Sequence, residues 1–329
     1  MPRAICLGET MAMLTPGDQG TLETASSLHL GVGGAESNVA MGLAAMGVPT
    51  GWISRLGDDG FGRRILHELE RHRVRTGGVQ LDDRRPTGLY VKVPGEDGTG
   101  MLYYRSGSAA SAMSPALLDD PAVADLLAEA SLIHLSGITA ALSDSCRELL
   151  LALLSRPRQS QRISFDVNWR PALWAGRDAS ILQQLANLSD IVLMGKDEAL
   201  AAFGTHDESR LRELLPDPEV LIVKNESTSA TALGRDGERW EVPALSVEVV
   251  EPVGAGDSFA AGYLSGVLSG LDHRLSLRRG HVAAACTLTV HGDRGPLPED
   301  DDLVHILNCS DEDWAGIRVA QGRFLVRQP

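Results

Sequence analysis

The 329-residue chain is poor in cysteine, short of basic residues and without a long apolar run. Its four cysteines, Cys6, Cys146, Cys286 and Cys309, are far apart. They lack the paired spacing of a zinc site or a small disulfide scaffold, so buried free thiols in a reducing compartment are expected. Thirty Lys and Arg against 44 Asp and Glu leave a net charge of -14. Nucleic acids and acidic membranes are held by clustered Lys and Arg, and neither is expected as the main partner. The apolar run Ala4-Ile-Cys-Leu7 is too short for a signal peptide, and no later run approaches a membrane span. The expected location is the cytoplasm. The sequence also lacks an internal repeat, a low-complexity tract and a long linker.

What is present is alternation. Apolar runs of strand length at 52–53, 132–135, 163–167, 191–194 and 220–223 alternate with helical patterns. Such alternation implies βαβ crossovers and a mostly parallel sheet covered on both faces. Residues 61–71, with Phe61, Ile65, Leu66 and Leu69 on one face, and residues 145–154 read as helices. Two segments break the pattern, 10–30 and 86–105. In the second, Leu89-Tyr-Val-Lys-Val93 and Met101-Leu-Tyr-Tyr104 flank the turn Pro94-Gly-Glu-Asp-Gly-Thr-Gly100, which predicts a hairpin. A single domain over 1–329 is expected, with a small lid inserted from about 10–32 and 84–107. In the last segment, 311–329, the stretches 316–319 and 323–326 read either as an added hairpin or as a mobile tail.

The strongest chemical signal is Glu251-Pro-Val-Gly-Ala-Gly-Asp257, followed by the small-residue run Ser258-Phe-Ala-Ala-Gly-Tyr-Leu264. A glycine turn before a helix brings bare backbone N–H groups against an anion, and the helix dipole favours phosphate there. Asp257 stands where it can take a proton from an attacking hydroxyl. The Gly-Lys-Ser/Thr ending of a Walker A loop is absent, and the motif is not the N-terminal strand–turn–helix of a dinucleotide-binding fold.

Three further groups stand out. Gly31-Val-Gly-Gly-Ala-Glu-Ser-Asn38 opens a small-residue helix that Gly47 stops, with Asn38 in its first turn; it serves either a polar ligand or tight helix–sheet packing. Ser164-Phe-Asp-Val-Asn-Trp-Arg-Pro171 ends a buried strand in Asp166, Asn168 and Arg170, at the edge where open α/β sheets bind ligands. The planar fork of Arg170 suits a carboxylate or an ordinary salt bridge. On the expected lid lie Tyr90, Tyr103, Tyr104 and Arg105; alternation puts Tyr103 and Arg105 on one face and Tyr104 on the other. One face is open to a substrate and the other to a neighbouring subunit.

Together these residues resemble the ribokinase-like (PfkB) family of carbohydrate kinases. The match runs in order from Leu7-Gly-Glu9 through Gly33-Gly-Ala-Glu-Ser-Asn38 and Arg55-Leu-Gly-Asp-Asp-Gly-Phe-Gly62 to Gly254-Ala-Gly-Asp257, over about residues 4 to 305. Gly8-Glu9, Tyr103-Tyr-Arg-Ser-Gly-Ser-Ala109 and Asp166-Val-Asn-Trp-Arg-Pro-Ala-Leu-Trp174 look most like 2-keto-3-deoxygluconate kinases. The resemblance implies an α/β fold, the ribokinase-like three-layer α/β/α sandwich with a mostly parallel central sheet and a small β lid. It implies ATP and Mg²⁺ as cofactors and a homodimer formed through the lid. The implied reaction is phosphorylation of 2-keto-3-deoxygluconate at its primary hydroxyl to the 6-phosphate; the alternatives are a kinase for fructose or ribose and a catalytically weakened sugar-binding protein.

Residue by residue, the resemblance makes Asp257 the base and Gly254, Ala255 and Gly256 the anion hole. Gly34 and Asn38 would touch sugar hydroxyls, Tyr90, Tyr103 and Arg105 would close over the sugar, and Arg170 would meet its carboxylate. Lys224 would join Gly254 and Gly256 at the nucleotide, with adenine around 284–290, and Glu198 would act on Mg²⁺ through water. The chain also departs from the family pattern. Glu251-Pro252-Val253 stands where Asp-Thr is usual, and Gly195-Lys-Asp-Glu198 where Asn-x-x-Glu is usual. Pro252 removes a backbone donor and Gly195 a side-chain amide. Glu251 keeps the acidic charge on a longer reach, Lys224-Asn-Glu-Ser-Thr-Ser229 replaces a glycine-richer segment, and monovalent-cation binding is left open.

Overall fold

The computed structural model describes residues 3–17, 21–95, 98–158, 160–292 and 295–325. Glu96 and Asp97 of the expected hairpin turn, and residues 326–329, lie outside the described residues. In chain order the first strands are β1 (Ala4–Leu7), β2 (Met11–Pro16), β3 (Leu28–Gly33), β4 (Thr50–Gly57) and β5 (Arg75–Asp82). There follow β6 (Leu89–Gly95), β7 (Gly98–Tyr104), β8 (Leu132–Ser136), β9 (Arg162–Asp166), β10 (Ile191–Gly195) and β11 (Val220–Asn225). The last are β12 (Ser229–Gly234), β13 (Arg239–Pro243), β14 (Ser246–Val247), β15 (Arg318–Ala320) and β16 (Arg323–Leu325).

Nine strands form the central sheet in the order β13-β12-β11-β10-β9-β8-β1-β4-β5. From β11 to β5 every pairing is parallel, whereas β12 and β13 are antiparallel additions at one edge. Side chains of a strand alternate between faces, so a sheet buried on both sides needs apolar residues at every position. β1 shows this directly: Ala4 and Cys6 join one core and Ile5 and Leu7 the other. Helices Ala35–Ala45, Ala255–Leu268 and His273–Leu288 cover the first face, and Pro121–Glu129, Asp144–Leu154 and Ile181–Asn187 the second. The result is a three-layer α/β/α sandwich. Cys6, Cys146 and Cys286 are buried and Cys309 partly so, all as free thiols.

Two helices of the first face touch backbone to backbone. A Cβ on Gly262 would lie 2.5 Å from the carbonyl oxygen of Arg279, and one on Gly280 would lie 2.9 Å from the Phe259 ring. The small-residue run after Asp257 is what lets helix Ala255–Leu268 meet helix His273–Leu288 this closely.

The segments around 10–32 and 84–107 supply a separate four-stranded sheet, ordered β3-β2-β6-β7. Register sets Leu30, Leu14, Val91 and Leu102 in one row across a face, with Leu30 42% and Leu102 45% exposed. Gly31, Met13, Tyr90 and Tyr103 form a row on the opposite face.

The end of the chain packs on the core. Trp314, Ile317 and Val319 are buried, and β15 pairs with β14 and β16 in a three-stranded sheet. Of the two readings of this segment, the hairpin is the one formed by the described residues. Gln321 and Gly322, both at positive φ, make its two-residue turn. No helix among the described residues is long and apolar enough to cross a membrane.

Candidate active site

The carboxyl ends of parallel strands β8 to β11 share one edge of the sheet, and the catalytic candidates gather there. Gly254 caps helix Ala255–Leu268 with φ at 83°, a left-handed conformation that glycine adopts without a Cβ clash. Asp257 lies in the first turn of that helix. Its Oδ2 accepts a hydrogen bond from Asn38 Nδ2 at 2.9 Å. Two glycines bring these side chains together. A Cβ on Gly34 would lie 2.4 Å from the backbone oxygen of Glu9, and one on Gly42 would lie 2.6 Å from the Ala261 side chain.

Three connected spaces surround this pair. The smallest, about 130 Å³, is lined by Gly34, Asn38, Tyr90, Tyr103, Arg105 and Arg170 together with Gly254 and Asp257. All six residues singled out for the sugar therefore meet the proposed base in one cavity. A middle space of about 410 Å³ shares Tyr103, Arg170, Gly254 and Asp257 with it and adds Asp166, Asn168, Glu198, Lys224 and Gly256. The largest, about 520 Å³, shares Glu198, Lys224 and Gly256 with the middle one, and only there does Ala255 line the wall. Its far end is apolar, built by Leu245, Val247, Phe259, Ala284 and Leu288. Tyr104, on the other face of its strand, is 60% exposed and lines none of the three.

Charge in the site is largely paired. Arg105 donates through Nε to Glu9 Oε2 at 2.6 Å, its Nη2 contacts the same oxygen, and Ser108 Oγ donates to Glu9 Oε1 at 2.6 Å. Lys224 Nζ lies 3.2 Å from Asp166 Oδ2. Burial works against the Lys224 ammonium, but Asp166 and Glu198 outweigh it and hold its pKa above the ordinary lysine value. Burial pushes the Glu198 carboxyl up, against the opposing pull of Lys224. Glu198 Oε2 accepts the N–H of Gly195 at 2.7 Å, so the position that lost its amide is capped by the glutamate of its own helix.

Arg170 is held more loosely. Its side chain is 47% exposed, its Nη1 donates to the Trp169 oxygen at 2.9 Å, and that nitrogen lies 3.7 Å from Glu198 Oε1. Asn168, beside it, is buried with φ at 41°, and its Oδ1 has no hydrogen-bond partner among the described residues. An unsatisfied buried amide in a strained conformation, facing the middle space, has the character of a ligand-facing group.

Sequence reasoning did not assign roles to Glu9 or Lys92. Glu9 carried a signal as the acidic residue two positions past the end of β1. Lys92 carried one as a charge inside the apolar run of β6. Lys92 Nζ lies 2.5 Å from Glu251 Oε1, and Glu251 Oε2 accepts the N–H of Gly292 at 3.0 Å. The acidic charge ahead of the turn is thus engaged by a lysine of the small sheet. No cluster of three or more potential metal-ligating side chains occurs among the described residues.

A family model for pfkB family carbohydrate kinases matches residues 1–300, and the chain belongs to that family. It is 33% identical over 319 residues to the 2-dehydro-3-deoxygluconokinase of Bacillus subtilis (strain 168), covering 93% of this chain and 95% of the relative. Among solved structures, a PfkB protein from Polaromonas sp. JS666 superposes with a TM-score of 0.78 at 32% identity, over 87% of this chain and 95% of that one. A sugar kinase from Pyrococcus horikoshii solved in complex with ATP gives a TM-score of 0.80 at 25% identity, over 92% and 97% of the two chains. The protein is a carbohydrate kinase.

Proposed function

We propose that this kinase transfers the γ-phosphoryl group of ATP to the primary hydroxyl of a sugar acid of the 2-keto-3-deoxygluconate type, giving its 6-phosphate. The observation that carries the reading is the meeting of Arg170 and Asp257 in one small cavity. Arg105 is already neutralised by Glu9, whereas Arg170 keeps an exposed guanidinium for a substrate carboxylate. The similarity to a 2-dehydro-3-deoxygluconokinase over almost the whole chain supports the same substrate class.

In this reading the sugar hydroxyl attacks the γ-phosphorus, a new O–P bond forms as the bond to ADP breaks, and the hydroxyl proton passes to the Asp257 carboxylate. Asn38 orients that carboxylate. The N–H groups of the turn from Gly254 to Gly256, reinforced by the helix dipole, hold the charge on the transferred group, and Lys224 adds a cation from β11. The nucleotide base belongs at the apolar end of the largest cavity, beside Ala284. Asp166 and Glu198, at the middle space, would hold Mg²⁺, directly or through water, and the ion would neutralise phosphate charge there. The four-stranded sheet acts as a lid that excludes water. Leu30 and Leu102, the exposed members of the row that also holds Leu14 and Val91, are proposed to pair with a second copy of the chain. The proposed location is the cytoplasm.

The approach of Arg170 to Glu198 favours one competing reading, a neutral-sugar kinase in which Arg170 is structural. ATP consumption measured side by side with 2-keto-3-deoxygluconate, fructose and ribose separates the two. Preference for the sugar acid is expected, and preference for a neutral sugar overturns the assignment.

A further inference from the structure

Lys92 and Glu251 line neither the sugar cavity nor the nucleotide cleft, yet they join the small sheet to the turn that precedes Asp257. Lys92 is on β6, two residues after Tyr90 and on the same face, and is 5% exposed. Tyr90 lines the sugar cavity. Glu251 is tied at several points: Oε1 to Lys92, Oε2 to the Gly292 N–H, and its own N–H to the Leu288 oxygen at 3.3 Å. Only Pro252 and Val253 separate it from Gly254.

An ammonium in an otherwise apolar strand carries a desolvation cost that a valine at the same position would avoid. Buried ion pairs of this kind add little net stability compared with a well-packed apolar replacement, and their best-attested use is to fix one arrangement against others. Here the arrangement fixed is that of β6 relative to the 251–254 turn. Burial opposes ionisation of Glu251, but Lys92 and the Gly292 N–H outweigh it and keep the carboxyl below its ordinary pKa.

We propose that Lys92 is a positioning residue for phosphoryl transfer. Its ammonium holds Glu251, and through Glu251 the Pro252-Val253-Gly254 turn, so that the helix N–H groups face the transferred group only while β6 is seated over the sugar. The inference rests on the reading of Asp257 and its turn as the phosphoryl-transfer site.

The test is a kinetic comparison of Lys92→Met, Lys92→Arg, Lys92→Ala, Glu251→Gln and the double variant Lys92→Met/Glu251→Gln, on whichever sugar the wild type phosphorylates. In Lys92→Met, kcat is expected to fall about 10- to 100-fold, the scale of a displacement near 1 Å at a reacting centre, with KM for sugar and ATP changed less than about 3-fold. Lys92→Arg retains most of kcat. Added ammonium or ethylammonium restores part of the lost rate in Lys92→Ala, and the double variant is no worse than the poorer single one. An unchanged kcat in Lys92→Met overturns the proposal, as do multiplying losses in the double variant or failure of both arginine and amine to rescue. If Lys92→Met does not fold by circular dichroism, Glu251→Gln carries the same requirement of a loss confined to kcat. Failure of the sugar-acid reading shows instead in the wild type, as turnover of neutral sugars only or of no sugar.

Discussion

Asn38 Nδ2 donates to Asp257 Oδ2 across 219 positions of sequence, at 2.9 Å. The bond helps set the direction in which the carboxylate faces the small cavity it lines. Asp257→Asn is expected to lower kcat by about 10³-fold or more, because the neutral amide cannot accept the hydroxyl proton. Asn38→Ala leaves the base in place but unaligned, and a loss of about 10-fold in kcat/KM is expected. Steady-state kinetics with thermal unfolding as a control for folding check both.

Arg170→Ala should raise KM for the sugar acid by about 10- to 100-fold, the worth of a charge-assisted contact to a carboxylate, and leave KM for ATP within about 2-fold. Lysine lacks the planar fork and is expected to restore little. Equal losses for acid and neutral sugars would remove Arg170 from carboxylate recognition.

Arg105 and Glu9 are both largely buried, and Ser108 completes the shell around the carboxylate. Arg105→Ala leaves Glu9 without its cation, so a loss of roughly 3 to 5 kcal/mol is expected in urea unfolding. Arg105→Ala combined with Glu9→Gln should recover part of it, since the uncompensated charge is then gone. Additive losses in the double variant would refute this account.

Glu36 is fully buried, with Oε1 accepting from Ser136 at 2.6 Å and Thr139 at 2.7 Å, and Oε2 without a hydrogen-bond partner among the described residues. Burial pushes its carboxyl above the ordinary value of 4.5, against those two hydrogen bonds. A group raised on folding contributes stability that is complete below its unfolded pKa and is lost as pH rises through the folded pKa. Glu36→Gln should therefore match the wild type in acid and become the more stable of the two as pH rises, by roughly 1 kcal/mol. Melting temperatures across the pH range check the sign; a variant less stable at alkaline pH would contradict it.

Leu30→Asp or Leu102→Asp should convert the proposed dimer to monomer in light scattering, because each puts a carboxylate into the apolar row of the outer face. Wild type that runs as a monomer at all concentrations would remove the dimer.

The parallel core of the sheet was legible because β8, β9, β10 and β11 are near-continuous apolar runs, as burial on both faces demands. β12 was not. Its sequence Ser229-Ala-Thr-Ala-Leu-Gly234 is buried yet mostly small, with Thr231 alone a strong strand former, and long-range pairing with β11 decides its structure. The glycine turn, Asn38 and Arg170 were legible because their chemistry is local. The pairings of Glu9 with Arg105 and of Lys92 with Glu251 were not, since they span 96 and 159 positions and depend on the fold already being formed. Glu198 shows the same limit in reverse: an expected metal residue also caps its own helix.

The close crossing at Gly262 and Gly280 has a dynamic consequence. At Gly262 the contact is with backbone and at Gly280 with the Phe259 ring, so little deformable side chain lies between the helix that carries Asp257 and the helix that bears Ala284, and the two are expected to move as one body. Under the proposed function, rearrangement during turnover then falls to the thin sheet that bears Tyr90 and Tyr103. An inhibitor filling the apolar end of the largest cavity would accordingly meet one unchanging wall, whether or not the smaller cavity was occupied.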